Sequence, residues 1–483
     1  MKKTAVMLVC LICCLVLFSQ PAEADDAYLK SMGNDLVAAL NSHDPAQRET
    51  FLKKYYINAD SASAIERWQG HLSRYADMLG EVKVHGIDLS DPRQVRILIY
   101  TDNSRVLNQW SNLILNLDES IKDKFRTAQI DPGQNPNIVL PDRALTDDEI
   151  AQYLKDYIDD LVARDVFSGT VKITHEGKTV FEGAYGKADL RWGIDNKIDT
   201  KFNLGSMNKM FTGVAICQLV EQGKVSFDAP IGRYLKDLSN REYAEVTVHQ
   251  LLTHTSGMDS YWDAMAEMDW TALRSVKDFA DLNINDTLLF EPGDHFHYSN
   301  SGPLYLGLII EAISGMDYHD YIRKYVTGPA GMPNTDCYEN DAIVPNLAQG
   351  YWWDDEINNF RTNIFEHSAR GSAAGGGFST VPDLQNFAKA LYDGRLLSQE
   401  MLKTYTTGKV ETGPDEMYAY LIGDDIWEGH RVVGHSGGAP GINSDLKILP
   451  DLKYVVTAMS NYDNAASAIS HYATDLIIHK RTQ

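Results

Sequence analysis

Hydrophobic positions change their spacing at recognisable places along the chain. In DDAYLKSMGNDLVAALNSHD they recur at helical intervals, whereas GEVKVHGIDLS and RQVRILIYTD alternate apolar and polar residues as half-buried strands do. Residues 25–131 therefore read as a small α+β domain that begins with helix and ends with strand. The stretch PGQNPNIVLPDRA, residues 132–144, breaks both periods with prolines and turn residues, and reads as a linker.

Beyond it, Thr146 and Glu149 form a T-x-x-E capping box for a helix reaching about Arg164, and two strands flank a turn at Glu176-Gly177. Near the other end, NSDLKILPDLKYVVTAMSN predicts a second hairpin turning at Pro450-Asp451, followed by an amphipathic helix from about Asn464 to Lys480. Neither hairpin contains a crossover helix, so the expected fold class is α/β in the α+β sense. Residues 145–483 form a largely antiparallel sheet flanked by helices from both ends, with a long, mainly helical insertion between.

The first 24 residues stand apart. Two lysines precede an apolar run from Ala5 to Phe18, and Ala22-Glu23-Ala24 supplies the small residues of a cleavage site, so residues 1–24 read as a secretory signal peptide. The run is shorter than the roughly 20 apolar residues a membrane span needs, so no anchor is expected after cleavage and the mature chain is expected to be secreted or periplasmic. The formal net charge is −23. A surface of that sign repels polyanions and excludes nucleic acid as a natural partner. Only Cys217 and Cys337 survive processing; whether they pair is left open, although Cys217 lies in an apolar helical run and reads as a buried small hydrophobe.

Candidate chemistry first appears in FNLGSMNKMFTGVAICQLVEQGK, which reads as a buried helix from Ser206 to Leu219 stopping at Gly223. Ser206 and Lys209 are spaced i, i+3 and share one face. Desolvation among Met210, Phe211 and Val214 lowers a lysine pKa and yields a neutral amine able to take a serine proton. In FEPGDHFHYSNSGPLYLGLIIEAISG, Pro292-Gly293 turns the chain, and Ser301 with Pro303 begins a second apolar helix that ends at Gly315. Tyr298 and Asn300 then lie on a loop held between ordered elements. His295 and His297 lack a third ligand at a suitable spacing, so no metal site is expected, and the chemistry needs no cofactor.

Residues 434–438, GHSGG, match the G-x-S-x-G pattern of a nucleophile elbow. That reading requires an acid and then a histidine downstream. Only a hairpin and a helix follow, with His471 and His479 both on that helix, so the elbow reading fails on topology.

Taken together, GSMNK, YSN and HSG resemble, in order and approximate spacing, the three motifs of the serine β-lactamase and penicillin-binding protein superfamily. The likeness is to its class C-like branch, with D-alanyl-D-alanine carboxypeptidases, D-aminopeptidases and family VIII esterases. LLTHTSGM, FEPGDHFHYSNSG, GGGFSTVPDLQNFAKAL and GHSGGAPG extend it over residues 145–483. The resemblance implies Ser206 as nucleophile, Lys209 as its base and Tyr298 as proton shuttle. It implies Asn300, His435, Ser436 and Gly437 as substrate-binding residues, with an oxyanion hole from the backbone N–H groups of Ser206 and Gly438. Residues 25–131 are similar to nuclear-transport-factor-like, cone-shaped domains, which implies a docking module or a dimer formed through this domain.

One departure bears on substrate: lysine is usual in most β-lactamases where this chain has His435, and an unperturbed histidine is mostly neutral near pH 7. Esterase or peptidase activity on a small molecule or peptide is therefore expected over efficient β-lactam hydrolysis. A non-hydrolytic sensor that binds penicillin or cell-wall fragments is the alternative. RGSAAGGGFST lacks the Lys-Ser/Thr of a phosphate loop and reads as a flexible cleft edge, with Thr380 and Asp383 as the capping box of the next helix. YWWDDEINNF is expected either to line a substrate entrance or to pack a loop.

Overall fold

The computed structural model describes residues 25–481 apart from 43, 108, 119, 134, 239 and 267, so the leader read at residues 1–24 lies outside the described residues. The chain divides into two compact units between Val139 and Leu140.

The first unit runs through α1 (Asp26–Asn41), α2 (Pro45–Tyr55) and α3 (Ala62–Leu79). An antiparallel meander of β1 (Val82–Asp88), β2 (Gln94–Thr101), β3 (Trp110–Leu117) and β4 (Phe125–Pro132) follows. Side chains of Asp25, Asp44 and Ser61 accept from free backbone N–H groups at the three helix starts. The alternation in β2 is the one expected: Val95, Ile97, Ile99 and Thr101 are buried, and the residues between them are part-exposed. They meet Leu36, Leu40, Phe51, Leu52 and Tyr55 from the helices in a separate core.

The second unit opens with α4 (Asp147–Ala163), capped by the reciprocal Thr146–Glu149 box, and continues into the hairpin β5 (Gly169–His175) and β6 (Lys178–Tyr185). The insertion carries α5 (Lys209–Glu221), α6 (Ser301–Ser314) and α7 (Val381–Tyr392). The chain then returns through β7 (Val410–Gly413), β8 (Glu416–Tyr418), β9 (Gly423–Trp427), β10 (His430–Ala439), β11 (Ile442–Leu449) and β12 (Tyr454–Ser460), and ends in α8 (Ala465–Ile478). These strands join β5 and β6 in one eight-stranded sheet of order β7-β8-β9-β10-β11-β12-β5-β6, with every neighbouring pair antiparallel. The antiparallel sheet with helices and an insertion is the fold class expected.

Central strand β11 is buried on both faces although it carries Asn443-Ser444-Asp445 after its first residue. Ser444 Oγ donates to the Leu204 carbonyl on the side of the insertion, and Asp445 accepts from Ser470 of α8 on the other. Ser444 and Asp445 therefore each have a partner, which removes the cost of burying them bare. Gln385 of α7 bridges Lys172, Val455 and Thr457 on the insertion side, so helices cover both faces.

Three expectations are corrected. The helix predicted from Ser206 begins as a 3₁₀ turn, Gly205–Asn208, and becomes α-helical only at Lys209. The Thr380–Asp383 box forms in one direction: Thr380 accepts from the Asp383 N–H, but the Asp383 carboxylate turns to Thr335 and the Asn334 N–H. RGSAAGGGFST is no flexible edge, because Gly371 to Ala374 and Gly377 to Thr380 are buried against the start of α5. Cys217 and Cys337 are both free and buried.

Candidate active site

Helix α5 is apolar on nearly all sides, and nine consecutive residues from Lys209 to Cys217 are buried. Lys209 itself is fully buried, which requires partners for its amine. Lys209 Nζ lies 3.0 Å from Ser206 Oγ, 2.7 Å from Asn300 Oδ1 and 2.6 Å from the Ala374 carbonyl oxygen. In a 3₁₀ turn, side chains at i and i+3 eclipse, so the irregular start of the helix stacks Ser206 over Lys209 more directly than an α-helix would.

Two of these partners can only accept. A neutral amine has two N–H bonds and one lone pair, so donation to Asn300 and Ala374 leaves the lone pair facing the Ser206 hydroxyl. An ammonium would instead donate to all three and hold nothing free for the serine proton. Burial favours the neutral form and brings the Lys209 pKa down to about 7.

The segment after Gly371 holds this geometry from one side. Consecutive carbonyls of Ser372, Ala373 and Ala374 accept from Asn208 Nδ2, Thr212 Oγ1 and Lys209 Nζ. Strand β10 holds it from the other side. Gly205 is in the left-handed region at φ 51°, and a Cβ there would lie 2.9 Å from the Gly438 nitrogen. A Cβ on Gly437 would lie 1.9 Å from the Leu204 carbonyl oxygen, so the glycines of GHSGG let two backbones touch. Strand β9 pairs with β10 no further than Gly423 opposite Gly434, so from His435 onward that edge of β10 has no neighbouring strand. Gly438 and the start of the Ser206 turn thus lie against each other, the arrangement an oxyanion hole needs.

Tyr298 and Asn300 bracket Ser299, whose Oγ accepts from the N–H groups of Ser301 and Gly302 and starts α6. The Tyr298 ring lies 5.0 Å from Lys209 Nζ. Burial pushes its phenol well above the ordinary value, with the neighbouring Ser206 hydroxyl a smaller opposing effect, so it is a neutral proton donor and not a phenolate. Asn300 is oriented by Ser260, whose Oγ meets both its backbone and side-chain nitrogens.

Two residues without an assigned role belong to the assembly. His254 of LLTHTSGM has φ 55°, accepts the His297 N–H on its carbonyl and the Ser299 N–H on Nδ1, and packs its ring 4.4 Å from Tyr298. Tyr418 OH lies 2.9 Å from His435 Nε2 and 3.3 Å from His254 Nε2. The third-motif positions on β10 differ in exposure: His435 is part-exposed, Ser436 exposed and Gly437 buried. Burial, followed by the nearby Lys209 charge, holds the His435 ring neutral, with its pKa down at about 4.

A cavity of about 300 Å³ lined by Phe202, Asn203, Gln349, Asn363, Ile364 and Phe378 contains none of Ser206, Lys209, Tyr298 and His435. Among the described residues no cluster of three or more His, Cys, Asp and Glu is arranged to hold a metal ion. His295 stacks on Phe290 beside Asp294, and His297 lies 3.6 Å from Asp259. The YWWDDEINNF segment is a hairpin pairing Tyr351–Asp354 with Asn359–Thr362.

Penicillin-binding protein 4* of Bacillus subtilis is 28% identical over 329 residues, 64% of this chain and 71% of that protein. The same organism's putative penicillin-binding protein PbpX is 29% identical over 360 residues, 74% of this chain and 83% of its own. A crystal structure of a penicillin-binding protein from Bacillus halodurans superposes with a TM-score of 0.62 at 30% identity, covering 68% of this chain and 98% of that one. The family model described as Beta-lactamase matches residues 154–479, and this chain belongs to that family.

Proposed function

We propose that this chain is a secreted or periplasmic serine hydrolase that cleaves an ester or amide bond of a small molecule or short peptide through an acyl-enzyme on Ser206. The observation that carries this is the partner set of Lys209 Nζ, two obligate acceptors and the Ser206 hydroxyl, around a fully buried amine. Ser206 Oγ attacks the carbonyl carbon while its proton passes to the Lys209 lone pair. The N–H groups of Ser206 and Gly438 receive the charge on the carbonyl oxygen, and losing one such donor costs about 10² to 10³ in rate. Tyr298 gives a proton to the leaving group as its bond breaks, and the Lys209 ammonium replaces it. Water then attacks the acyl carbon, the same pair takes its proton, and the acid leaves with Ser206 restored. Asn300 holds the acyl side, and Ser436 and Gly437 line the opposite wall beside His435.

Export is supported by the leader-like residues 1–24. No helix among the described residues is long and apolar enough to cross a membrane.

A panel of short-chain chromogenic esters, D-alanyl peptides and a chromogenic cephalosporin tests the reaction. Turnover is expected on a neutral ester or peptide and slower turnover on the cephalosporin. Stoichiometric acylation without turnover of any of them replaces the hydrolase with a sensor.

The amino-terminal unit, taken as a nuclear-transport-factor-like module for docking or dimerisation, contributes none of these side chains and has its own core. A chain of residues 140–483 is therefore expected to fold and to keep ester turnover per site within about twofold. Circular dichroism and kinetics check this; an unfolded truncation would mean that the two units share stability.

A further inference from the structure

His435 ends a line of hydrogen bonds whose direction is set at both ends. At one end the Ser299 backbone N–H, 3.2 Å from His254 Nδ1, can only donate, so Nδ1 accepts and the proton of neutral His254 is on Nε2. That Nε2–H points to the Tyr418 oxygen at 3.3 Å, so the phenol proton is free to go to His435 Nε2 at 2.9 Å. At the other end, the Ser436 carbonyl, 2.5 Å from His435 Nδ1, can only accept, which puts the His435 proton on Nδ1. Every member is satisfied with both rings neutral. Protonating His435 would put a second N–H against the Tyr418 oxygen and leave the phenol proton without an acceptor. His254 and Tyr418 are buried, and His435 at the end of the line is part-exposed.

We infer that Tyr418, with His254 behind it, is a positioning residue that locks His435 as the neutral Nδ1–H tautomer with both ring nitrogens engaged, so that the third-motif wall selects acyl donors carrying no carboxylate at that position. This rests on Ser206 being the acylated residue as proposed above. A lysine at position 435 would offer a permanent cation to such a carboxylate; the locked ring offers neither a charge nor a free N–H. The hydroxyl of exposed Ser436 is then the side-chain donor left on this stretch of wall, and it suits a neutral carbonyl or ether oxygen.

The charged and titratable groups facing His435 are Lys209 of α5, Tyr418 of β8, His254, and Tyr298, whose ring lies 6.3 Å away. Lys209 titrates near pH 7, and its protonation slows acylation by every substrate alike. A ratio of two acylation rates removes that shared effect and leaves the contribution of His435.

The first test uses the full-length wild-type chain with ¹⁵N-histidine, with the His435 signal assigned by its loss in His435→Gln. The expected result is a ring that keeps the Nδ1–H tautomer and does not titrate between pH 5.5 and 8.5. An Nε2–H tautomer, or titration near 6.5, overturns the inference whatever the catalytic activity.

The second test is Tyr418→Phe, which removes the donor while keeping the ring. Acylation by a carboxylate-bearing β-lactam is divided by acylation by a neutral ester. In the wild type this ratio is expected to stay flat from pH 8 to 5.5. In the variant burial and Lys209 still keep the His435 ring neutral, but Nε2 has lost its donor and is free to carry a proton to the carboxylate, so the ratio is expected to rise about two- to tenfold at pH 8 and pH 5.5 alike, the worth of one hydrogen bond. A ratio unchanged from the wild type in a folded variant overturns the inference. If neither compound acylates the wild type, the hydrolase proposal fails, and the tautomer measurement still decides this one.

Discussion

Ser206→Ala is expected to abolish labelling by a serine-directed phosphonate and to lower ester turnover by about 10⁴- to 10⁶-fold, the scale on which removal of a covalent nucleophile acts. Labelled peptide from the wild type should contain Gly205 to Lys209. The fold should survive, because the Ser206 hydroxyl meets Lys209 and Tyr298, and the Lys209 amine retains Asn300 and Ala374. Ser436→Ala provides the contrast. Its side chain is exposed on β10, so it should still be labelled and turn over about two- to tenfold more slowly, as loss of one hydrogen bond worth about 0.5 to 1.5 kcal/mol would produce. An adduct on Ser436, with Ser206→Ala active, would reverse the assignment.

Lys209→Met removes the amine but keeps most of the side-chain length and volume, so packing around α5 is preserved while the serine loses the amine proposed as its base. Turnover is expected to drop about 10²- to 10⁴-fold, the range over which a positioned general base acts. The wild-type pH profile reports the same group. Burial lowers the Lys209 pKa to about 7, and in the proposed mechanism the deprotonated amine is the active form, so kcat/KM on a neutral ester should rise with pH through about 7 and level off above it. The variant should lose that limb as well as rate. A wild-type limb near the ordinary lysine value would show that the amine is charged in the free enzyme, and an unchanged limb in the variant would assign it to another residue. Thermal unfolding of the variant separates lost chemistry from lost fold, since a thioether in place of the amine leaves the Asn300 and Ala374 oxygens without their donor.

Much of the architecture is written locally. The period-2 alternation of Val95, Ile97 and Ile99, the reciprocal Thr146–Glu149 box and the glycine stop at Gly315 each depend on neighbours within a few residues, and all appear in the fold. The i, i+3 spacing of Ser206 and Lys209 is equally local. The absence of a crossover helix in either hairpin is enough to imply an antiparallel sheet and to set aside the elbow reading of GHSGG.

Other features depend on segments far apart in the chain. The Ala374 carbonyl that accepts from Lys209 is a backbone atom, and backbone acceptors leave no mark in residue identity. RGSAAGGGFST reads as flexible because glycine is permissive in isolation; packed against α5, the same lack of side chains lets three consecutive carbonyls reach Asn208, Thr212 and Lys209. Gly437 has the same explanation in its contact with the Leu204 carbonyl. Tyr418 and His254 carry no motif that links them to His435, and what joins them is the register of β8, β9 and β10 and the left-handed turn at His254. Residue types and short spacings thus specify which groups can react. Their protonation states depend on which distant backbone and side-chain atoms the folded chain brings to each donor, because burial and partner geometry act over a few ångströms of space and not along the sequence.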